Sequence, residues 1–333
     1  MDEKFRSYKK IKAIKVFSTK ESLLNSMKRI REIEMRISKE YSNQKMRCPV
    51  HLSIGQEAPS AALSILINKK DFSVSTHRGH AHYLAKGGSL KALISEIYGK
   101  GNGCSLGKGG SMHLIDLDVN FMGTSAIVGN SIPTGTGLAL AAKLNKENQI
   151  SVIHIGDGAV EEGAFYESLN FAVVKEIPAL YFCENNLYSV YSPLKVRQPK
   201  SRSIAKMSSA IGAYTLEGDG NCAISSYEKI KKAIDYCRSE KKPVFIELKT
   251  YRWLEHCGPN NDDHLEYRSK EEISYWRKKD PIKVLEETLN LEEKQKYDSF
   301  CSSLKKEIDI AFDYAEKSKP PSQDNVHAQI YSE

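Results

Sequence analysis

The stretch Ser151–Asn186, SVIHIGDGAVEEGAFYESLNFAVVKEIPALYFCENN, leaves the chain few choices of fold. SVIHI is a short β-branched run that reads as a buried strand ending at Gly156-Asp157-Gly158. Helical spacing follows, with Phe165, Leu169, Ala172 and Val173 on one face, and Pro178 punctuates it. ALYFC then reads as a second strand ending at Glu184-Asn185-Asn186. Strand, helix and strand within about 35 residues make a βαβ unit, two parallel strands joined by a right-handed crossover. Parallel strands end on the same side of their sheet. Asp157 and Asn186 are therefore both expected at carboxyl ends, where open α/β sheets bind ligands.

The chemistry of those two ends is specific. A carboxylate and an amide oxygen are hard ligands suited to Mg²⁺, which completes its oxygen sphere with phosphate groups. Gly156 and Gly158 leave room for a diphosphate to approach the backbone, and the helix N-terminus that follows favours its charge. A plain Asp-Gly turn is the competing reading, and the 26 residues separating Gly156-Asp157-Gly158 from Asn185-Asn186 weigh against it. Gly218-Asp219-Gly220 has no such second half and no clean apolar run before it, so it is read as a turn.

With those residues in place, Gly156–Asn186 resembles the thiamine diphosphate motif, and its flanks narrow the likeness. From Leu23 to Pro281 the chain resembles the alpha subunit of the thiamine-dependent, decarboxylating 2-oxo acid dehydrogenases of the pyruvate, branched-chain and acetoin types. The blocks are HLSIGQEA (His51–Ala58), STHRGHAHYLAKG (Ser75–Gly87), GKGGSMH (Gly107–His113), SAIVGNSIPTGTGLALA (Ser125–Ala141), the motif itself and TYRWLEHC (Thr250–Cys257). The resemblance implies an α/β, thiamine-diphosphate-binding fold with a mostly parallel sheet flanked by helices. It also implies decarboxylation of a 2-oxo acid and transfer of the acyl group to a lipoyl acyltransferase. A carboligase passing an activated aldehyde to an aldehyde or sugar acceptor is the second reading, and a basic scaffold or RNA-binding protein the non-enzyme one.

Site roles follow from the resemblance. Asp157, Asn186 and the backbone carbonyl of Tyr188 would hold Mg²⁺, with Gly156, Gly158 and Ala159 along the diphosphate. Arg78 matches the family's diphosphate-binding arginine, and a guanidinium suits phosphate geometry. His77 stands beside it where pyruvate-type enzymes carry tyrosine. Ala126 and Val128 belong to the segment that holds the aminopyrimidine ring. His80 matches an active-site histidine, and His256 one near the diphosphate and substrate channel; both are expected to be catalytic, with His256 also contacting cofactor. Cys257 stands where the family often has a regulatory serine, so phosphorylation there is not expected. Trp253-Leu254-Glu255 replaces the small and histidine residues usual in pyruvate-type enzymes, which leaves the identity of the 2-oxo acid open. Thiamine enzymes also need a glutamate against the aminopyrimidine; the chain shows no second, pyrimidine-binding half, and Glu57 is not assigned that role. A beta subunit is expected to supply it, in an α2β2 assembly.

Composition narrows the context. The chain has 333 residues, 40% hydrophobic and 27% charged, ordinary for a globular enzyme with a sizeable core. The net charge of +7 comes from lysines scattered among acids, so neither a nucleic acid nor a membrane partner is expected. Seven cysteines without a Cys-x-x-Cys pair point to a reducing, cytoplasmic setting.

Three segments are expected: residues 1–20 as a flexible basic tail, 21–318 as the cofactor-binding α/β domain with C-terminal helices, and 319–333 as a polar tail. Ser18–Glu21 fits a capping box opening an amphipathic helix. Further readings are helices from Gln56, over Ile132–Lys143, over Tyr227–Cys237 and within Ile282–Lys317. Asp71–Thr76 and Pro243–Leu248 read as strands and His77–His82 as a turn. Tyr98–Gly110, Tyr188–Ser208 and a mobile Gly258–His264 read as loops.

Overall fold

SVIHI forms a central strand of one six-stranded sheet in the computed structural model, which describes residues 3–46 and 48–323, with side chains from residue 19 onward. In chain order the strands are β1 (Phe72–Thr76), β2 (Phe121–Ser125), β3 (Ser151–Gly156), β4 (Ala179–Asn185), the two-residue β5 (Tyr188–Ser189) and β6 (Ser192–Pro193), β7 (Tyr214–Asp219) and β8 (Val244–Lys249). The large sheet runs β2-β1-β3-β4-β8-β7, with parallel neighbours throughout. β5 and β6 form a separate antiparallel pair.

Parallel strands are joined by crossovers that cover both faces of the sheet. On one face Val152, Leu180, Phe182, Val244 and Ile246 pack with Leu23, Leu24 and Met27 of helix Glu3–Tyr41, helix Glu57–Leu66 and helix Ala223–Glu240. On the other, Val74, Ile153, Ile155, Tyr181 and Phe245 meet helices Ser131–Leu144, Gly163–Val174 and Ile204–Ile211. The period of two in each strand sorts these residues to their faces. In helix Ser131–Leu144 a Cβ on Gly135 would meet Ile153 at 2.5 Å, so the absent side chain sets the helix-to-sheet distance. A third cluster joins helix Leu291–Lys317 to helices Leu90–Ile97 and Glu3–Tyr41.

Several elements differ from the sequence expectations. β2 and β7 were not foreseen: both are partly exposed edge strands, and FMGTS and YTLEGD lack a continuous apolar run. Gly218-Asp219-Gly220 thus lies at a strand end, not in a plain turn. The helix Glu3–Tyr41 already spans Ser18–Glu21, so the capping pattern does not mark its start. His80–Ala85 is helical and not part of a turn. Residues 188–208 hold β5, β6 and helices Leu194–Arg197 and Ile204–Ile211. The tail readings for 1–20 and 319–333 fall largely outside the described side chains.

Candidate active site

β1 sits beside β3 while the chain between them builds β2 on the outer edge, so the strand order reverses direction at β1/β3. That is where an open sheet leaves a crevice at its carboxyl ends. β1 delivers His77 and Arg78, β3 delivers Asp157, and β4, in register with Gly156 opposite Glu184, delivers Asn186. These residues line one cleft together with Gln56, His82, Val128, Gly158, Ala159, Tyr188 and His256.

Arg78 is a buried cation, and among the described residues no carboxylate lies within ion-pair reach of it. Its Nη1 donates to the Leu52 carbonyl at 2.7 Å and its Nη2 to the His256 carbonyl at 3.2 Å. Burial, with the Arg252 charge second, lowers its pKa to about 9. An uncompensated buried guanidinium is costly unless an anion accompanies it. Three imidazoles stand beside it: the His51–His77, His51–His256 and His77–His256 ring centroids are 4.6, 5.2 and 5.2 Å apart. Burial first and Arg78 second bring His51 down to about 2, His77 to about 4 and His256 to about 3. His51 Nδ1 is buried without a partner. A diphosphate fits this set, which offers charge and donors and holds no anion of its own.

The cation ligands also fit. Asp157 is 2% exposed, and burial pushes its pKa up while Arg197, which donates to its Oδ2, pulls it down. Asn186 Nδ2 donates to Gln56 Oε1 at 3.1 Å, and Asn186 Oδ1 accepts from Tyr188 N at 3.2 Å, which fixes which end of the amide is oxygen. The Tyr188 hydroxyl is held by Glu272 at 2.8 Å. A carboxylate, an amide oxygen and a backbone carbonyl suit Mg²⁺. A Cβ on Gly156 would meet nothing within 4 Å, so the space above the strand end is open.

Not every residue singled out in the sequence arrives in the cleft. His80 is fully buried elsewhere, its Nε2 2.8 Å from Ser111 Oγ and its Nδ1 3.4 Å from Glu34. Its place at the start of a helix turns the ring into the core, two residues before His82 faces the sheet. Ala126 is exposed and lies outside the cleft lining, whereas Val128, 48% exposed, belongs to it. Glu57, not assigned a cofactor role, is tied to Arg31 and to Gly55 N at 2.9 Å and lies outside the cleft lining. Asp219 accepts from Asn221 N at 2.9 Å at the edge of the sheet and lies 3.6 Å from Lys279 Nζ.

The sequence reading missed His51, Gln56, His82 and Glu184. His82 Nε2 lies 2.5 Å from Glu184 Oε2, and its Nδ1 2.6 Å from Ser75 Oγ; its ring stacks on His154 at 3.7 Å. The only signal for His82 was the density of histidines in His77–His82. The loop Gly258–His264, expected to be mobile, is anchored by Asp262, which is 1% exposed and held by Arg268 and by the Tyr267 hydroxyl at 2.6 Å.

A cleft at a strand-order reversal, with hard oxygen ligands beside a buried cationic pocket, fits a protein that binds a diphosphate-bearing cofactor. The sequence pattern of the family described as "Dehydrogenase E1 component" matches residues 25–324. The pyruvate dehydrogenase E1 component subunit alpha of Rickettsia bellii is 34% identical over 334 residues, covering 99% of this chain and all of that protein. The somatic mitochondrial form of the same subunit from Homo sapiens is 33% identical over 310 residues, covering 92% of this chain and 78% of that protein. Among solved structures, a transketolase mutant from Pichia stipitis superposes with a TM-score of 0.53 at 18% identity. It covers 88% of this chain, which spans about half (49%) of the transketolase, and it shows the likeness of fold. This chain belongs to the dehydrogenase E1 component family, as an alpha subunit of the thiamine-diphosphate-dependent 2-oxo acid dehydrogenases. That membership favours the dehydrogenase over the carboligase and scaffold readings.

A pH prediction arises from the histidine cluster. Groups depressed from 6.5 to about 4 at His77 and about 3 at His256 support the fold above pH 6.5. That support is lost as pH falls from 6.5 through those values, because the unfolded chain takes up protons first. A bound anion favours the protonated rings and opposes the loss. Inorganic diphosphate is expected to flatten the fall in thermal midpoint between pH 6.5 and 4, and His77→Tyr to weaken that effect. An unchanged slope with diphosphate would remove the cluster from the anion site.

Proposed function

We propose that the chain acts on a small 2-oxo acid, pyruvate foremost, and passes the acyl group to a lipoyl acyltransferase. The alpha-subunit relatives bear pyruvate dehydrogenase names, and the observation that carries the residue roles is the convergence of Asp157, Asn186, Arg78 and His256 in one cleft. Thiamine diphosphate supplies the electron sink that lets the carboxylate carbon depart. Asp157, Asn186 and the Tyr188 carbonyl would hold Mg²⁺, and Gly156, Gly158 and Ala159 would lie along the diphosphate. Arg78 would supply the positive charge facing the diphosphate, and the rings of His77, His256 and His51 hydrogen-bond donors beside it. Val128 and Ala126 would flank the aminopyrimidine, and His256 would lie near the diphosphate and the substrate channel. His80 positions Ser111 and the neighbouring loop; it has no place at the reacting atoms.

The glutamate that must meet the aminopyrimidine comes from a beta subunit in an α2β2 enzyme. Two observations support this. The carboxylates lining the cleft, Asp157 and Glu184, are already engaged, by Arg197 and His82. Among the described residues, the chain between β1 and β4 offers no further carboxylate to the cleft lining. All seven cysteines are unbridged, in keeping with a cytoplasmic enzyme, and no helix among the described residues is long and apolar enough to cross a membrane.

Purified alone, the chain is expected to show no decarboxylation; co-expressed with its beta chain, it should turn over pyruvate faster than branched 2-oxo acids. Turnover by the lone chain would overturn the assembly, and a preference for branched acids would overturn the substrate.

A further inference from the structure

Arg197 reaches the cleft from the short helix Leu194–Arg197, which follows the β5/β6 pair. Its side chain is 11% exposed and all three of its nitrogen groups are used. Nη2 donates to Asp157 Oδ2, Nη1 to Glu161 Oε1 at 2.6 Å, and Nε to the Ser192 carbonyl at 3.1 Å. Gln198 Nε2 donates to the same Glu161 oxygen at 3.0 Å, so Glu161 is fixed as the second acceptor. A guanidinium therefore lies across two carboxylates, one buried and assigned above to the metal, the other partly exposed and outside the ligand set.

A divalent cation on Asp157 and a guanidinium on the same carboxylate repel each other, and burial weakens the screening between them. The Glu161 carboxylate and the Ser192 carbonyl also accept from Arg197, so the planar guanidinium can pivot as a whole off Asp157 and still keep a carboxylate partner. We propose that Arg197 sets the divalent-cation affinity of the site by competing for Asp157, with Glu161 as the carboxylate that retains the guanidinium when the metal enters. The proposal rests on the assignment of Asp157 to the metal.

The two residues give opposite expectations. Arg197→Gln removes the competitor and should tighten metal binding, on the order of tenfold. Glu161→Gln leaves Asp157 as the guanidinium's sole carboxylate and should weaken binding by a similar factor. Arg197→Lys keeps a cation in reach and should stay near the parent value. The measurement is Mn²⁺ binding to the full chain, read from the loss of the free-ion paramagnetic resonance signal, with circular dichroism confirming that each variant is folded. Asp157→Asn separates the two levels. If it leaves Mn²⁺ binding intact, the metal assignment itself falls. If it abolishes binding while Arg197→Gln leaves affinity unchanged or lower, or Glu161→Gln fails to weaken it, the competition is overturned. Should Arg197→Gln fail to fold, the Glu161→Gln and Arg197→Lys pair still decides.

Discussion

Asp157→Ala is expected to abolish binding of thiamine diphosphate with Mg²⁺ while the fold survives. The carboxylate is the one charged ligand in the proposed metal set, and the amide and carbonyl oxygens that remain carry no full charge with which to hold a divalent ion. Loss of outer-shell partners of metal sites lowers affinity by roughly 10–100-fold, so loss of a direct anionic ligand should exceed about 100-fold. The fold should persist because Arg197 keeps Glu161 and the Ser192 carbonyl when Asp157 is gone, and is not left as an unpaired buried charge. Calorimetry on the assembled enzyme reads the affinity, and thermal unfolding reads the stability. A collapse in stability with affinity preserved would make Asp157 a structural acid.

His256→Ala is expected to lower turnover by on the order of 10²-fold while leaving Mg²⁺ coordination intact. Its ring lies 3.3 Å from Arg78 Nη2 and packs against His51 and His77, and it is not among the proposed metal ligands. Burial and Arg78 lower its pKa to about 3, which favours a neutral ring that can donate one hydrogen bond as charge changes nearby. Single-turnover decarboxylation and transfer to a lipoylated acceptor, measured separately, locate the step it serves. Near-parent rates in both, with a modest loss of stability, would make it a packing residue of the loop.

The sequence disclosed what depends on local spacing. The strand at SVIHI, the crossover helix and the strand at ALYFC follow from periodicity, and a βαβ unit then forces Asp157 and Asn186 to one edge. Residues whose role depends on a distant partner were not legible. His80 and His82 look equivalent in His77–His82, and only the way helix His80–Ala85 lies against the sheet sends one to Ser111 and the other to Glu184. Arg197 sits in a stretch without periodicity, and its reach to Asp157 exists because β5 and β6 fold the chain back. The loop Gly258–His264 read as mobile from its Asn, Asp and Gly content, yet one of those acids, Asp262, is its buried anchor. Edge strands β2 and β7 escaped for a simpler reason: half-exposed strands do not need apolar runs.

The most direct measurement is titration of thiamine diphosphate into the alpha chain assembled with its beta chain, with Mg²⁺ present or chelated, for the parent and for Asp157→Asn. The account predicts saturable binding to the parent that disappears both on chelation and on substitution, with decarboxylation of pyruvate following the same pattern. Metal-dependent binding and turnover that survive in Asp157→Asn would contradict it.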